Sequence, residues 1–355
     1  MAQTFTEADT WKATDIPKLL KEAATHFLDD DNVKFTPTSG GVNNLVQYVD
    51  TSDGQRYVMR IYNNGGNSVR VKYEHAVLKE LNKQTMSFKV PDYVPSKKTG
   101  DTHVLLSNGA EACMCHTIPG ELPKSAEPAS IGRAAGELLV ALGNVKIELK
   151  SPTPPYFDIY KVHHAISREK FFEEIQKPWA DSCKESMNIM VQEFERIEKR
   201  LEELKSQNLP FQLIHGDLHF DNVLYDGKKV TGLLDFEFAA EDWRAMELAV
   251  CLSKYAAEKD PFNLMDSFVS GFCEYGELTR KEVEGIPDMI NLRIMSNVLY
   301  FIGRALAKED TIEALTSRAD MYAERIQWVN ANRQAIIKSL SSPIEKKLAD
   351  KAWKL

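Results

Sequence analysis

Three polar side chains in one short stretch have the types and spacing to do chemistry. Asp217 and Asn222 lie in the run His215-Gly216-Asp217-Leu218-His219-Phe220-Asp221-Asn222, and Asp235 opens Asp235-Phe236-Glu237. Between the two runs the pattern predicts a strand over 223–225, a turn at Asp226-Gly227 and a second strand over 230–234. One hairpin would then hold two tight loops side by side, each presenting a carboxylate, the first adding a carboxamide. Phosphoryl transfer needs such a set, because its catalysis is positioning plus charge neutralisation. Mg²⁺ takes hard oxygen ligands, one or two from protein and the rest from phosphate and water, and Asn222 with Asp235 suits that task. Asp217 would face the acceptor hydroxyl, orient it and take its proton late, as bonding to phosphorus acidifies the oxygen. Three such groups beside strands would be costly if buried without ligands. His215 reads as a brace for its loop, and His219 and Asp221 as residues that shape it.

The rest of the chain must position these loops. Its 355 residues, 43% hydrophobic and 27% charged, suffice for two domains or one two-lobed unit. The net charge of −8 disfavours broad binding to nucleic acid or anionic membrane. No apolar run is long enough to span a bilayer, and the first residues lack the basic-then-apolar order of a signal peptide. Five scattered cysteines read as reduced thiols in a cytoplasmic protein. Cys113-x-Cys115 beside His116 lacks the spacing of a zinc site.

After one opening helix, capped by Asp15 or Thr14, the first part is strand-rich: 33–38, 44–50, 56–62, and further strands near 90–94, 103–107 and 112–118, with a helix over 69–83. Pro119-Gly120-Glu121-Leu122-Pro123 breaks this pattern and reads as a hinge. Beyond it the periodicity is helical, apart from a strand-rich island at 211–238 and a three-proline irregular stretch at 151–156. The layout is an α+β lobe over 1–118 and a larger helical lobe over 119–355, with the crevice between them as a ligand site. Residues 193–205 read as a solvated charged face, 289–306 as core, and helices are expected from Trp243 onward.

The segment 213–252 resembles the catalytic loop of the aminoglycoside phosphotransferase and choline kinase superfamily, which includes the type II homoserine kinases. That family's pattern is His-x-Asp-x-x-x-x-Asn, a strand, then Asp-Phe/Tyr-Glu/Asp, and it is matched here at His215, Asp217, Asn222 and Asp235. The resemblance covers about 33–329 and implies a bilobal protein-kinase-like fold binding ATP and Mg²⁺. It implies a phosphate-covering turn at Ser39-Gly40-Gly41-Val42-Asn43-Asn44, with Ser39, Gly40, Gly41 and Asn43 as contacts. It places Arg60 at the position of the family's strand cation, Glu74 as its helix partner, and Met114 and His116 in the segment that meets adenine. Arginine stands here where protein kinases have lysine.

Phe236-Glu237 in place of Phe-Gly, Gly216 in place of arginine, and no visible Ala-Pro-Glu disfavour a protein kinase. The acceptor is expected to be a small-molecule alcohol, amine-bearing and homoserine-like, with choline, ethanolamine and aminoglycoside kinases as alternatives. Glu237, Asp242, Trp243 and Glu247 would suit an ammonium group through charge and cation–π attraction. Equally, Glu237 aids the metal, Glu241 starts a helix and Glu247 braces the loop. Arg293, Arg304 and Arg318 fit either an anionic substrate group or ordinary ion pairs. A catalytically silent nucleotide- or partner-binding module, or a scaffold, are the readings from other classes. Oligomeric state is expected to be monomer or homodimer.

Overall fold

The computed structural model describes residues 15–38, 44–62, 68–123 and 127–352, the side chains of 342 and 345–352 excepted. The expected phosphate contacts Ser39, Gly40, Gly41 and Asn43 lie outside the described residues. Helix α1 (Ile16–Phe27) begins where Asp15 Oδ1 accepts the Lys18 N–H at 3.3 Å, satisfying a first-turn donor that no helix carbonyl reaches. Its buried face, Leu19, Leu20, Ala23 and Phe27, packs on a five-stranded antiparallel sheet. The strands are β1 (Lys34–Pro37), β2 (Leu45–Asp50), β3 (Arg56–Ile61), β4 (Val104–Leu105) and β5 (Glu111–His116), in the order β1-β2-β3-β5-β4. Met59 and Ile61 on β3 point into the α1 core. Alternation therefore turns Arg60, paired with Val46 and Cys113, to the other face. There it meets helix α2 (Ser68–Leu81).

The strand expected near 90–94 is instead an extended crossing segment that makes only isolated bridges, Lys89 with Gly232 and Tyr93 with Cys115. Pro91 and Pro95 remove the donors a ladder would need. This segment joins the two halves: Lys89 exchanges hydrogen bonds of 2.9 and 3.0 Å with Thr231 and Leu233. Tyr73, Val77, Leu78 and Leu81 of α2 also belong to the core of the helical half.

That half is built from α3 (Pro128–Gly143), α4 (Arg168–Glu174), α5 (Lys184–Ser206), β6 (Phe211–Ile214), β7 (Val223–Tyr225), β8 (Val230–Leu233), β9 (Ala240–Trp243), α6 (Ala245–Leu252), α7 (Pro261–Phe272), α8 (Arg280–Leu306), α9 (Glu313–Thr316) and α10 (Ala319–Ala352). α3 and α7 cross backbone to backbone. A Cβ on Gly132 would stand 1.9 Å from the Phe268 carbonyl oxygen, and one on Gly271 2.0 Å from that of Ala129.

Three expectations need correction here. The β island is two separate ladders, β7 with β8 and β6 with β9. Glu241 does not start a helix but lies on β9 opposite Leu213, where β9 satisfies the otherwise open backbone edge of β6; the helix starts only at Ala245. Nor is 193–205 wholly a solvated face. Glu193 is buried and accepts from Arg196, Asn291 and Asn330, while buried Asp288 accepts from Arg196, Arg200 and Arg333. Arginines of α5 and α10 and asparagines of α8 and α10 satisfy carboxylates that would otherwise be costly to bury. Among the described residues no helix is long and apolar enough to cross a membrane.

Candidate active site

The first loop leaves β6 at His215 and turns through Gly216, whose φ of +77° and closeness to the Phe238 carbonyl (2.7 Å from a built Cβ) exclude larger residues. Beneath the turn Glu247 is fully buried, and its Oε2 accepts the N–H groups of His215 (2.7 Å) and Gly216 (3.2 Å). His215 is equally buried. Its Nε2 donates to the Leu234 carbonyl at 2.9 Å, and its Nδ1 accepts the Asp217 N–H at 3.2 Å. That pattern fixes the proton on Nε2 and gives His215 the bracing role. Asn222 donates its amide to the Asp217 carbonyl at 2.9 Å, and its own backbone carbonyl accepts Leu234 N–H at 2.9 Å. The two loops are thus stitched at Leu234.

Asp235 follows in the left-handed region, φ 66° and ψ 63°, a conformation aspartate tolerates better than most side chains but one that marks a constrained position. Arg60 reaches it from β3. The guanidinium donates to Asp235 Oδ1 at 3.1 Å, Glu237 Oε2 at 2.8 Å and Glu74 Oε1 at 3.2 Å. Tyr93 OH also donates to Glu74 Oε1 (3.1 Å), and Asn44 Nδ2 to Glu237 Oε2 (3.3 Å). Burial pushes the Glu74 carboxyl up to about 7 against the pull of Arg60, and Glu237 and Asp235 add to the rise. Burial alone would lower the Arg60 guanidinium, but Glu74 and then Asp235 hold it above its ordinary value.

Asn222 keeps its side-chain oxygen, and Asp235 is 37% exposed at its side chain. One carboxylate and one carboxamide oxygen beside each other form a hard, oxygen-only donor set, which fits Mg²⁺.

Asp217 opens into a cavity of about 400 Å³ whose walls include Tyr156, Phe238, Arg293 and Tyr300. Arg293 of α8 forms a close ion pair with Asp217 Oδ1, and donates to Asn297 Oδ1 at 2.7 Å. Tyr156 sits under the same guanidinium, 5.7 Å from ring centre, and donates to the Gly216 carbonyl at 2.7 Å. The irregular proline stretch thereby forms a wall of the cavity.

The carboxylates expected to greet an ammonium group are placed differently. Glu237 is engaged with Arg60 and Asn44. Asp242 lines the cavity but is fully buried, its oxygens accepting the Tyr156 and Trp243 N–H groups at 2.6 Å each; burial pushes it up to about 7. Trp243 packs on Phe157 at 4.9 Å and Glu247 braces the loop, and neither lines the cavity. The even division drawn from sequence thus resolves toward bracing for Glu247. In the segment expected to meet adenine, the Met114 carbonyl accepts Val94 N–H (2.7 Å) and the His116 N–H donates to the Asp92 carbonyl (3.0 Å). These two groups are therefore taken by the crossing segment rather than left for a base. The His116 side chain turns to a second cavity of about 510 Å³ with Asn82, Phe88 and Lys89.

Sequence reading did not assign Tyr156, Arg70 or Tyr300 to the site. A signal for the α8 face was present: Arg293, Asn297, Tyr300 and Arg304 recur at spacings of four, three and four, one helix face beside the apolar run.

Sheet, stitched loop pair and helical half together define a protein-kinase-like fold. The chain belongs to the phosphotransferase enzyme family, whose sequence model matches residues 34–283. Similar curated proteins include the homoserine kinase of Sinorhizobium medicae (strain WSM419), 36% identical over 127 residues, which are 33% of this chain and 39% of that protein. The homoserine kinase of Zymomonas mobilis subsp. mobilis (strain ATCC 31821 / ZM4 / CP4) is 24% identical over 271 residues, 74% of this chain and 79% of its own length. The first of these alignments spans well under half of the relative. Among solved structures, the amicoumacin kinase hAmiN in complex with AMP-PNP, Ca²⁺ and Ami has a TM-score of 0.64 at 17% identity, covering 89% of this chain and 95% of that one. The microcompartment-associated aminopropanol kinase has a TM-score of 0.65 at 14% identity, covering 91% and 98%. At these identities the likeness is one of fold.

Proposed function

We propose that this protein is an ATP-dependent small-molecule kinase that moves a γ-phosphoryl group to the hydroxyl of a small, amine-bearing metabolite, L-homoserine being the first candidate. The observation that carries the reading is the stitched loop pair, which sets Asp217 at the mouth of a metabolite-sized cavity and Asp235 beside Arg60. Family membership and relatives named homoserine kinase support it.

In this reading residues 1–118 form the nucleotide lobe and 119–355 the acceptor lobe. Arg60, held by Glu74, meets the nucleotide phosphates. Asn222 and Asp235 hold Mg²⁺, which supplies charge neutralisation at the phosphate oxygens. Because the Met114 carbonyl and His116 N–H are used, base recognition falls to the backbone that follows, from Thr117 toward Gly120. Asp217 orients the acceptor hydroxyl and receives its proton as the new bond forms. Arg293 fixes the carboxylate's rotamer.

The test is Mg-dependent ADP release from ATP across homoserine, choline, ethanolamine, threonine and an aminoglycoside, with Asp217→Asn as control. Acceptor-stimulated release that the variant lacks is expected. Nucleotide binding with silence on every acceptor would favour the non-catalytic module, and no nucleotide binding would sink the site assignment.

A further inference from the structure

The lining of the acceptor cavity carries four aspartates, Asp158, Asp217, Asp242 and Asp310, and four arginines, Arg70, Arg293, Arg304 and Arg318, but they do not pair one to one. Each carboxylate that faces it already has a cation: Asp217 has Arg293, Asp158 has Lys161 at 2.8 Å, and Asp310 has Arg304 at 3.5 Å. The remaining acid, Asp242, is sealed behind two backbone N–H groups. Two exposed arginines that also line the cavity, Arg70 and Arg318, have no carboxylate partner among the described residues. Arg318 is also tethered. It donates to the Ala314 carbonyl at 2.5 Å and the Ser317 hydroxyl at 3.4 Å, and lies over the Phe301 ring at 5.2 Å. A guanidinium held this way loses less freedom on binding and offers a planar fork to an oxyanion.

We infer that Arg318 and Arg70 form an anion subsite of the acceptor cavity, so that the acceptor is a small hydroxy acid, amino-substituted or not, rather than an amino alcohol or an aminoglycoside. Its hydroxyl lies at Asp217 and its carboxylate at the two arginines. This deepens the kinase reading and rests on it for the position of the hydroxyl. It also inverts the charge recognition expected from the Glu237, Asp242 and Glu247 cluster, none of which offers an open carboxylate to the cavity.

Three acceptors that differ by one group provide the test: L-homoserine, 3-aminopropan-1-ol, which lacks the carboxylate, and 4-hydroxybutyrate, which lacks the ammonium. For the unaltered protein, kcat/KM should favour both acids over 3-aminopropan-1-ol by at least about tenfold. Arg318→Gln and Arg70→Gln should each raise KM for the two acids by about tenfold while the KM for ATP and the weak use of 3-aminopropan-1-ol hold, and Arg318→Lys should recover part of the loss. Preference for 3-aminopropan-1-ol, or equal losses on all three acceptors, overturns the subsite. Should no acceptor turn over, the kinase reading fails separately. The subsite is then decided by calorimetry of L-homoserine and 4-hydroxybutyrate with the full chain in Mg-ADP. Binding that Arg318→Gln weakens about tenfold or more sustains it, and binding of neither acid overturns it.

Discussion

The guanidinium of Arg293 rests on the carboxylate of Asp217, although the two are 76 residues apart in sequence. The pair couples the loop that carries Asp217 to α8, which lines the same cavity. Asp217→Asn removes both the proton acceptor and the counter-charge of Arg293. Turnover should fall at least about a hundredfold with KM for ATP within about twofold of the parent. Steady-state kinetics check this, and near-normal turnover would remove Asp217 from the chemistry.

Glu74 supplies a pH dependence. With its carboxyl pushed up to about 7 by burial, the fraction ionised falls as pH drops from 8 to 6, and Arg60 loses a partner. KM for ATP should rise over that interval, and Glu74→Gln should flatten the profile at a uniformly high KM. Stability runs with a definite sign as well. The folded state holds this proton more tightly than the unfolded chain, so the contribution of Glu74 declines as pH rises from the ordinary value of 4.5 to about 7 and is level beyond. The apparent Tm measured against pH should show a fall in that window that the glutamine variant lacks.

Asp235 and Asn222 should differ from Asp217 in what they change. Asp235→Ala and Asn222→Ala are expected to raise the Mg²⁺ concentration for half-maximal nucleotide binding by about tenfold or more. Titration of a fluorescent ATP analogue at fixed nucleotide reads this directly, and an unshifted metal dependence would remove them as ligands.

Glu247 separates bracing from substrate contact. Its Oε2 carries two backbone N–H groups while its Oε1 is buried without a hydrogen bond among the described residues. Glu247→Ala orphans both donors and should cost about 2–5 kcal/mol in chemical unfolding. Glu247→Gln keeps one oxygen for the two donors and should recover most of it. A KM effect of the glutamine variant limited to cationic acceptors would restore the substrate role.

The α3–α7 crossing tolerates no side chain. Gly132→Ala would drive a methyl group into the Phe268 carbonyl at 1.9 Å, so the helices must separate, at a cost of about 1–3 kcal/mol or more. An unchanged Tm would show that the helices do not pack as described.

Much of this was legible in the sequence because local chemistry dictated it. Asp15 capped its helix, Asp226-Gly227 closed its hairpin, and alternation along β3 turned Arg60 away from the core that holds Met59 and Ile61. What escaped depended on partners distant in the chain. β9 exists because β6 has an open edge, which composition alone does not reveal. Glu193 and Asp288 are buried because arginines and asparagines from three helices converge on them. The acid cluster around Glu247 stayed evenly divided for the same reason: a carboxylate next to such a loop looks alike whether it faces a ligand or the loop's own backbone.

Leu234 is held at both ends of its peptide, by Asn222 through its N–H and by His215 through its carbonyl. The consequence is mechanical. Asp217, Asn222 and Asp235 ride on one rigid platform, whereas Arg60 arrives from the other lobe. A shift of the sheet against that platform would change the reach of the cation while leaving the three oxygen-bearing side chains at fixed spacing.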